Sequence, residues 1–304
     1  MNGNAELAEY VKAHSRNEIT RGKSGASVCE LDGQRIAKYV RRDRLNDASA
    51  WAAYEREAMF YAYASKLGLP FVPQIEMNQV RADEILLIMK KYRPLSREEI
   101  NNELLEKILL CLAKIHRLDV PAFLDQKKAE PVFWDEKSCA EYLCGWKAVL
   151  AEHGDLFDDA QLHAIAQHAN EINRKYASQN IRFVHGDFHF ENILMDEDGN
   201  VVICDWQNCG TGDVSGDISF FISRLLSDGY SVDSGEIIQT YCACAAGLGE
   251  TVCPKDVEIQ IRLANLNTSF MFWHQYLHNS TEARVRSIYG KMIGDYHFLR
   301  EQMK

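Results

Sequence analysis

The spacing of apolar positions changes character near residue 95. Before that point, residues 5–13 have helical spacing. Residues 28–31 and 35–40 are short β-like runs separated by Asp32-Gly33, a pair that favours the tight turn of a hairpin. Residues 48–67 are rich in Ala, Glu, Met and Tyr and lack Gly and Pro, which predicts one long helix stopped by Gly68. Residues 71–79 and 85–90 read as two more strands. Beyond Ser96 the period becomes helical. Ile100, Leu104, Leu105, Ile108, Leu109, Leu112 and Ile115 fall on one face of a helix over 97–118. Further helices are predicted at about 134–152, 156–178, 216–228, 234–247, 255–279 and 281–302. The exception is 181–206, where IRFV, NILM and VVICDW are short β-like pieces and residues 196–200 (DEDGN) form a turn. The expected class is α+β, with a small antiparallel-sheet lobe over 1–92 and a larger, mainly helical lobe over 93–304. The junction falls where Pro94 interrupts the backbone pattern.

Composition narrows the function classes. A hydrophobic fraction of 46% and a charged fraction of 26% fit a soluble globular protein. No apolar run approaches the ~20 residues of a membrane span. The polar N-terminal stretch is not a secretory or transit signal, so a cytoplasmic location without a membrane partner is expected. Nine cysteines without a CxxC pair read as free thiols. A net charge of −10 argues against nucleic-acid binding, which depends on neutralising phosphates. Residues 1–92 hold 14 Lys/Arg against 12 Asp/Glu, a net of +2, so −12 falls on the remainder. That asymmetry fits a cationic substrate in the second lobe, and equally a solvated acidic surface.

The chemistry concentrates in HGDFHFENILMDEDGNVVICDWQ, residues 185–207. Asp187 follows an apolar strand, Asn192 comes five residues later, and Asp205 ends another strand. Metal-assisted phosphoryl transfer requires this set. Asn192 and Asp205 offer hard oxygen ligands to Mg²⁺, and a separate carboxylate, Asp187, accepts or orients the proton of an attacking hydroxyl.

This segment resembles the catalytic loop and metal-binding turn of the aminoglycoside phosphotransferase and choline kinase family, whose fold is similar to that of protein kinases. The loop has the HGD form rather than HRD, and DWQ stands where protein kinases have DFG. The resemblance implies a protein-kinase-like two-lobe fold, Asp187 as catalytic base, and Asn192 and Asp205 as Mg²⁺ ligands. It extends upstream to RGKSGASVCEL, which is similar to the family's nucleotide loop and would place Gly22, Ser24, Gly25 and Ala26 over the phosphates. Lys38 in RIAKYV would contact the α- and β-phosphates, paired with Glu57 of YEREAMF in preference to Glu55. Residues 85–92 resemble the interlobe hinge, where Met89 and Lys91 would meet the purine. Asp217 in GDVSGDISFF matches an aspartate that begins a helix and braces the catalytic loop; it is also a good N-cap. SFMFWHQY resembles the aromatic helix that lines choline pockets, whereas His274 and His278 lack the neighbouring Glu of a metal motif.

The expected activity is transfer of the γ-phosphate of ATP (or GTP), with Mg²⁺, to a hydroxyl of a small, amine-bearing molecule. Aminoglycoside-type acceptors come first. A choline, ethanolamine or other metabolite kinase is the alternative, and a non-catalytic nucleotide-binding regulator stands behind both.

Overall fold

The computed structural model describes residues 4–18, 25–124, 132–154, 157–178 and 181–304. The chain gathers into two compact units. One comprises Met1–Gln126, Arg182–Thr211 and Phe220–Glu250; the other comprises Lys127–Ile181, Gly212–Ser219 and Thr251–Lys304.

The first unit opens with α1 (Asn4–His14) and a five-stranded sheet built from β1 (Asn17–Glu18), β2 (Ser27–Asp32), β3 (Arg35–Arg41), β4 (Ile75–Val80) and β5 (Glu84–Lys90). Strand order is β1-β2-β3-β5-β4, and every pair is antiparallel. Asp32 and Arg35 face each other across the Gly33-Gln34 turn, where Asp32 Oδ1 accepts the Gln34 N–H at 3.1 Å. Leu7 and Val11 of α1 pack against Cys29, Leu31, Ala37, Tyr39, Leu86 and Ile88, so one face of the sheet is closed by a helix. The strand expected at 71–79 begins only at Ile75. Pro70 and Pro73 remove two donors from the approach to it, and the Phe71 carbonyl instead accepts the Ile203 N–H at 2.8 Å.

Between β3 and β4 runs α2 (Ala48–Leu67). Asp47 caps its start through the Ala50 N–H, and Gly68 ends it with φ 62°, a left-handed conformation that glycine adopts without steric cost. After the sheet, β6 (Arg93–Pro94) pairs with β8 (Ile193–Met195), which pairs with β9 (Val201–Ile203). The expected lobe junction is therefore itself a short edge strand, a place where proline's missing N–H costs nothing. The helix predicted from residue 97 starts later, as α3 (Asn102–His116), because Asn101 caps it through the Leu104 N–H at 2.9 Å. It packs on α7 (Ser234–Gly247), with His116 Nδ1 2.7 Å from the Tyr241 hydroxyl.

The second unit is helical: α4 (Glu136–Ala151), α5 (Ala160–Lys175), α8 (Pro254–Phe272) and α9 (Glu282–Glu301) surround Trp134, Trp146, Ile165, Leu266, Phe270 and Met292. Trp146 donates its indole N–H to the Phe270 carbonyl at 3.1 Å. The chain also contains β7 (Ile181–Val184), which leads to the 185–207 segment, β10 (Gly210–Asp213) and α6 (Ser215–Ser227). Among the described residues no helix is long and apolar enough to cross a membrane, and all nine cysteines are free thiols.

Candidate active site

Lys38, Glu57, Asp187, Asn192 and Asp205, the candidate residues, all lie in the first unit, and the β8–β9 hairpin carries two of them at its open end. Its turn is an Asx turn: Asp196 Oδ1 accepts the N–H groups of Asp198 at 2.9 Å and Asn200 at 2.7 Å. The register pairs Ile193 with Ile203, and the Cys204 N–H then donates to the Asn192 carbonyl at 2.9 Å. Thus the open end of one hairpin sets Asn192 beside the residue preceding Asp205. The Asn192 amide nitrogen donates to the Asp187 carbonyl at 2.9 Å and to Asp187 Oδ2 at 3.3 Å. Asn192 and Asp187 are therefore in direct contact, and Asp205 follows the residue that Asn192 holds through its backbone.

His185 is fully buried and acts as a strut. Its Nδ1 accepts the Asp187 N–H at 3.2 Å, which leaves Nε2 to donate to the Cys204 carbonyl at 3.0 Å. Both roles are met by the neutral ring. Gly186 beside it has φ 78°, and a Cβ there would stand 2.1 Å from the Asn208 carbonyl oxygen. The glycine of HGD is what this site favours sterically, since any side chain would force the Asn208 backbone to shift.

Asp205 also takes a left-handed conformation, φ 63° and ψ 66°, which costs a non-glycine residue about 1–2 kcal/mol. Several contacts hold it there. Lys38 Nζ lies 3.0 Å from Asp205 Oδ1 and 2.8 Å from Glu57 Oε2. Trp206 is fully buried, stacked on Phe60 of α2 at 4.0 Å and meeting the His185 ring edge-on at 4.5 Å. Burial works against the Lys38 ammonium, but the Glu57 and Asp205 carboxylates outweigh it and raise its pKa, so the lysine stays charged. The preference for Glu57 over Glu55 accords with this pairing.

The Asp187 carboxyl is held below its ordinary value by the His189 ring, whose Nε2 is 3.8 Å from Asp187 Oδ2; partial burial opposes this. His189 stands edge-on to Phe220, and Glu191 beside it pairs with Arg224 at 3.2 Å.

Of the expected nucleotide-loop residues, Gly22 and Ser24 lie outside the described residues. Gly25, at φ 79°, and Ala26 lead into β2, whose Val28 faces Lys38 across the sheet. Met89 pairs with Ile36 and Ile75. The Lys91 N–H donates to the Gln34 carbonyl at 2.7 Å and its ammonium pairs with Glu30 at 3.0 Å. Asp217 lies within α6 rather than before it. It is buried inside the first turn, while Asp213 Oδ1 takes the Ser215 N–H at 2.8 Å. In the second unit, Phe270 is buried and stacked on Trp134 at 4.8 Å, while Phe272 and Tyr276 are exposed. His278 pairs with Glu152 at 2.6 Å.

Sequence reasoning assigned no role to Arg56 or Gln207. Gln207 Nε2 donates to Asp205 Oδ1 at 2.8 Å, and Arg56 donates to the Gln207 carbonyl at 2.9 Å. The only hint was the departure of DWQ from DFG.

The donor set suits magnesium. Asn192 and Asp205 supply hard oxygens, and among the described residues no group of three or more His, Cys, Asp or Glu could cage a metal. Magnesium typically takes one or two protein oxygens and completes its shell with phosphate and water.

Comparison with known proteins follows the same line. The sequence profile of the phosphotransferase enzyme family matches residues 18–248. No curated protein sequence matches the chain. Among solved structures, the chain is similar to an ADP-bound aminoglycoside phosphotransferase, APH(2'')-Ib, at 14% identity and TM-score 0.56 over 97% of this chain and 98% of that one. It is also similar to aminoglycoside phosphotransferase APH(3'')-Id from Streptomyces rimosus, at 18% identity and TM-score 0.53 over 87% and 98%. A choline kinase from Cryptosporidium parvum Iowa II matches at 14% identity and TM-score 0.54 over 99% and 94%. At these identities the likeness is one of fold, and the fold is α+β and protein-kinase-like. With its profile matched over most of its length, the chain belongs to the phosphotransferase enzyme family.

Proposed function

We propose that the chain is a Mg²⁺- and ATP-dependent (or GTP-dependent) O-phosphotransferase that moves the γ-phosphate to a hydroxyl of a small, amine-bearing acceptor, aminoglycoside-type first. One observation carries the reading. Lys38 reaches Glu57 and Asp205 at once, and Asn192 ties Asp187 to the same hairpin. In this reading the Lys38 ammonium, kept charged by its two carboxylates, binds the α- and β-phosphates. Asn192 and Asp205 hold magnesium, which when bound neutralises charge on the triphosphate. Asp187 takes the proton of the acceptor hydroxyl, and Asn192 and His189 hold its carboxylate in place. Gly25 and Ala26 would let backbone N–H groups approach the phosphates, as would Gly22 and Ser24, and Met89 and Lys91 would border the purine. The excess of acidic residues beyond residue 92 supports an amine-bearing acceptor.

A second reading, a choline or ethanolamine kinase, is supported by the exposed rings of Phe272 and Tyr276, since aromatic faces attract quaternary ammonium groups. Nucleotide consumption against a panel of aminoglycosides, choline, ethanolamine and amino alcohols tests both readings. Acceptor-dependent ADP formation is expected with at least one of them. Tight nucleotide binding with no turnover of any acceptor would move the reading to a regulatory module.

A further inference from the structure

Four residues on one face of α2 reach the segment around Asp205. Glu57 pairs with Lys38, Phe60 stacks on Trp206, burial and then the nearby Glu57, Cys204 and Asp205 raise the pKa of Tyr61, and Arg56 holds the Gln207 carbonyl. Positions 56, 57, 60 and 61 share a helix face because α-helical neighbours recur at three and four residues. Gln207 completes the array by turning its side chain back to Asp205 Oδ1, the same oxygen that Lys38 contacts.

We propose that Gln207 is a positioning residue for Asp205. Its amide and the Lys38 ammonium together fix one carboxylate oxygen, which would leave Oδ2 for a cation, and Arg56 anchors the Gln207 backbone to α2. This rests on the reading of Asp205 as a magnesium ligand given above. A carboxylate on a left-handed backbone position has no helix or strand to fix its rotamer, so side-chain donors must do it. Two donors converging on one oxygen hold the carboxylate against rotation more firmly than one does. A glycine in place of Gln207 would keep the backbone carbonyl that Arg56 holds but would supply no side-chain amide to Asp205. The same bond admits an opposite role, in which the amide merely occupies an oxygen that the metal must displace. The two roles predict changes of opposite sign.

The test is calorimetric titration of Mg²⁺, and of Mn²⁺ followed by paramagnetic resonance, into the full-length protein saturated with ADP. Wild type is compared with Gln207→Leu and Arg56→Met, and melting temperatures confirm that each variant is folded. Gln207→Leu should bind the cation roughly tenfold more weakly, the lower end of what a hydrogen bond to a charged group is worth. ADP binding without metal should be unchanged. Arg56→Met should show a smaller loss that vanishes in the Gln207→Leu background, because the arginine acts through the glutamine. Gln207→Met, which keeps the length, loses the donor and adds no charge, covers the case in which the leucine variant does not fold; it should weaken cation binding to a similar extent. Unchanged or tighter cation binding by Gln207→Leu in a wild type that binds both ADP and metal overturns this inference alone. A wild type that binds no cation with ADP overturns the underlying reading, and this inference with it.

Discussion

Gly186→Ala should cost stability and activity together, and the structure sets the size of the effect. The residue sits at φ 78°, and its added Cβ would lie 2.1 Å from the Asn208 carbonyl oxygen and 2.9 Å from its carbonyl carbon. Alanine in the left-handed region loses about 1–2 kcal/mol. Relieving the contact requires opening by roughly 1 Å against backbone rather than a flexible side chain, and overpacking of this kind costs about 1–3 kcal/mol. The total is about 2–5 kcal/mol. At roughly 2 °C per kcal/mol for a chain of this size, the melting temperature should fall by roughly 4–10 °C. The displaced atoms flank Asp187 and Asp205, so turnover should fall on the order of 100-fold, as for a 1 Å misplacement of reacting groups. Scanning calorimetry and steady-state kinetics read the two effects. Gly290→Ala is the control. It lies in the exposed interior of α9 with nothing within 4 Å of an added methyl, and should stabilise by about 0.5–1 kcal/mol. A Gly186→Ala protein that melts within a degree of wild type and turns over normally would refute the close approach.

Other expectations follow from the same contacts. Glu57→Gln leaves the buried Lys38 with Asp205 as its one remaining carboxylate partner, and should raise the KM for ATP and lower kcat/KM by roughly 10–100-fold, readable in steady-state kinetics. Burial pushes the Cys204 and Cys111 thiols up to about 12, so iodoacetamide at pH 8 should label exposed Cys144 and Cys253 in the native protein and reach Cys204 and Cys111 only after unfolding, as peptide mass spectrometry would show. The depressed pKa of Asp187 means that its ionised form favours folding. That contribution is complete above the ordinary carboxylate value and is lost as pH falls through the lower folded value, and His189→Leu should move the acid limb of activity upward.

The sequence was most legible where a local rule coincides with the tertiary demand. Gly68 stops α2 because the chain must turn left-handed there, and Asp32-Gly33 makes a hairpin between two strands that the sheet needs. Asp187, Asn192 and Asp205 stood out because metal-assisted phosphoryl transfer asks for such residue types in such a layout, whereas Lys38 and Glu57 stood out only through the family resemblance. Other features depend on distant partners. Arg93–Pro94 is a strand only because Met195 and Leu194 lie opposite, and nothing local predicts a two-residue edge. Asp217 reads as a cap by composition, but Asp213 receives the amide of the first helical residue. Arg56 carries no local signal, since its bond to the Gln207 carbonyl joins residues 151 positions apart, and Gln207 showed only as the departure of DWQ from DFG.

The central claim is tested most directly by following γ-³²P from labelled ATP into acceptor, with Mg²⁺ present, for wild type and Asp187→Asn side by side. Wild type should label a hydroxyl-bearing acceptor. The variant should transfer about 10²–10⁴-fold more slowly while binding ATP within a few-fold of wild type, as expected when a general base is lost from an intact site. An Asp187→Asn protein that transfers at the wild-type rate would contradict the account.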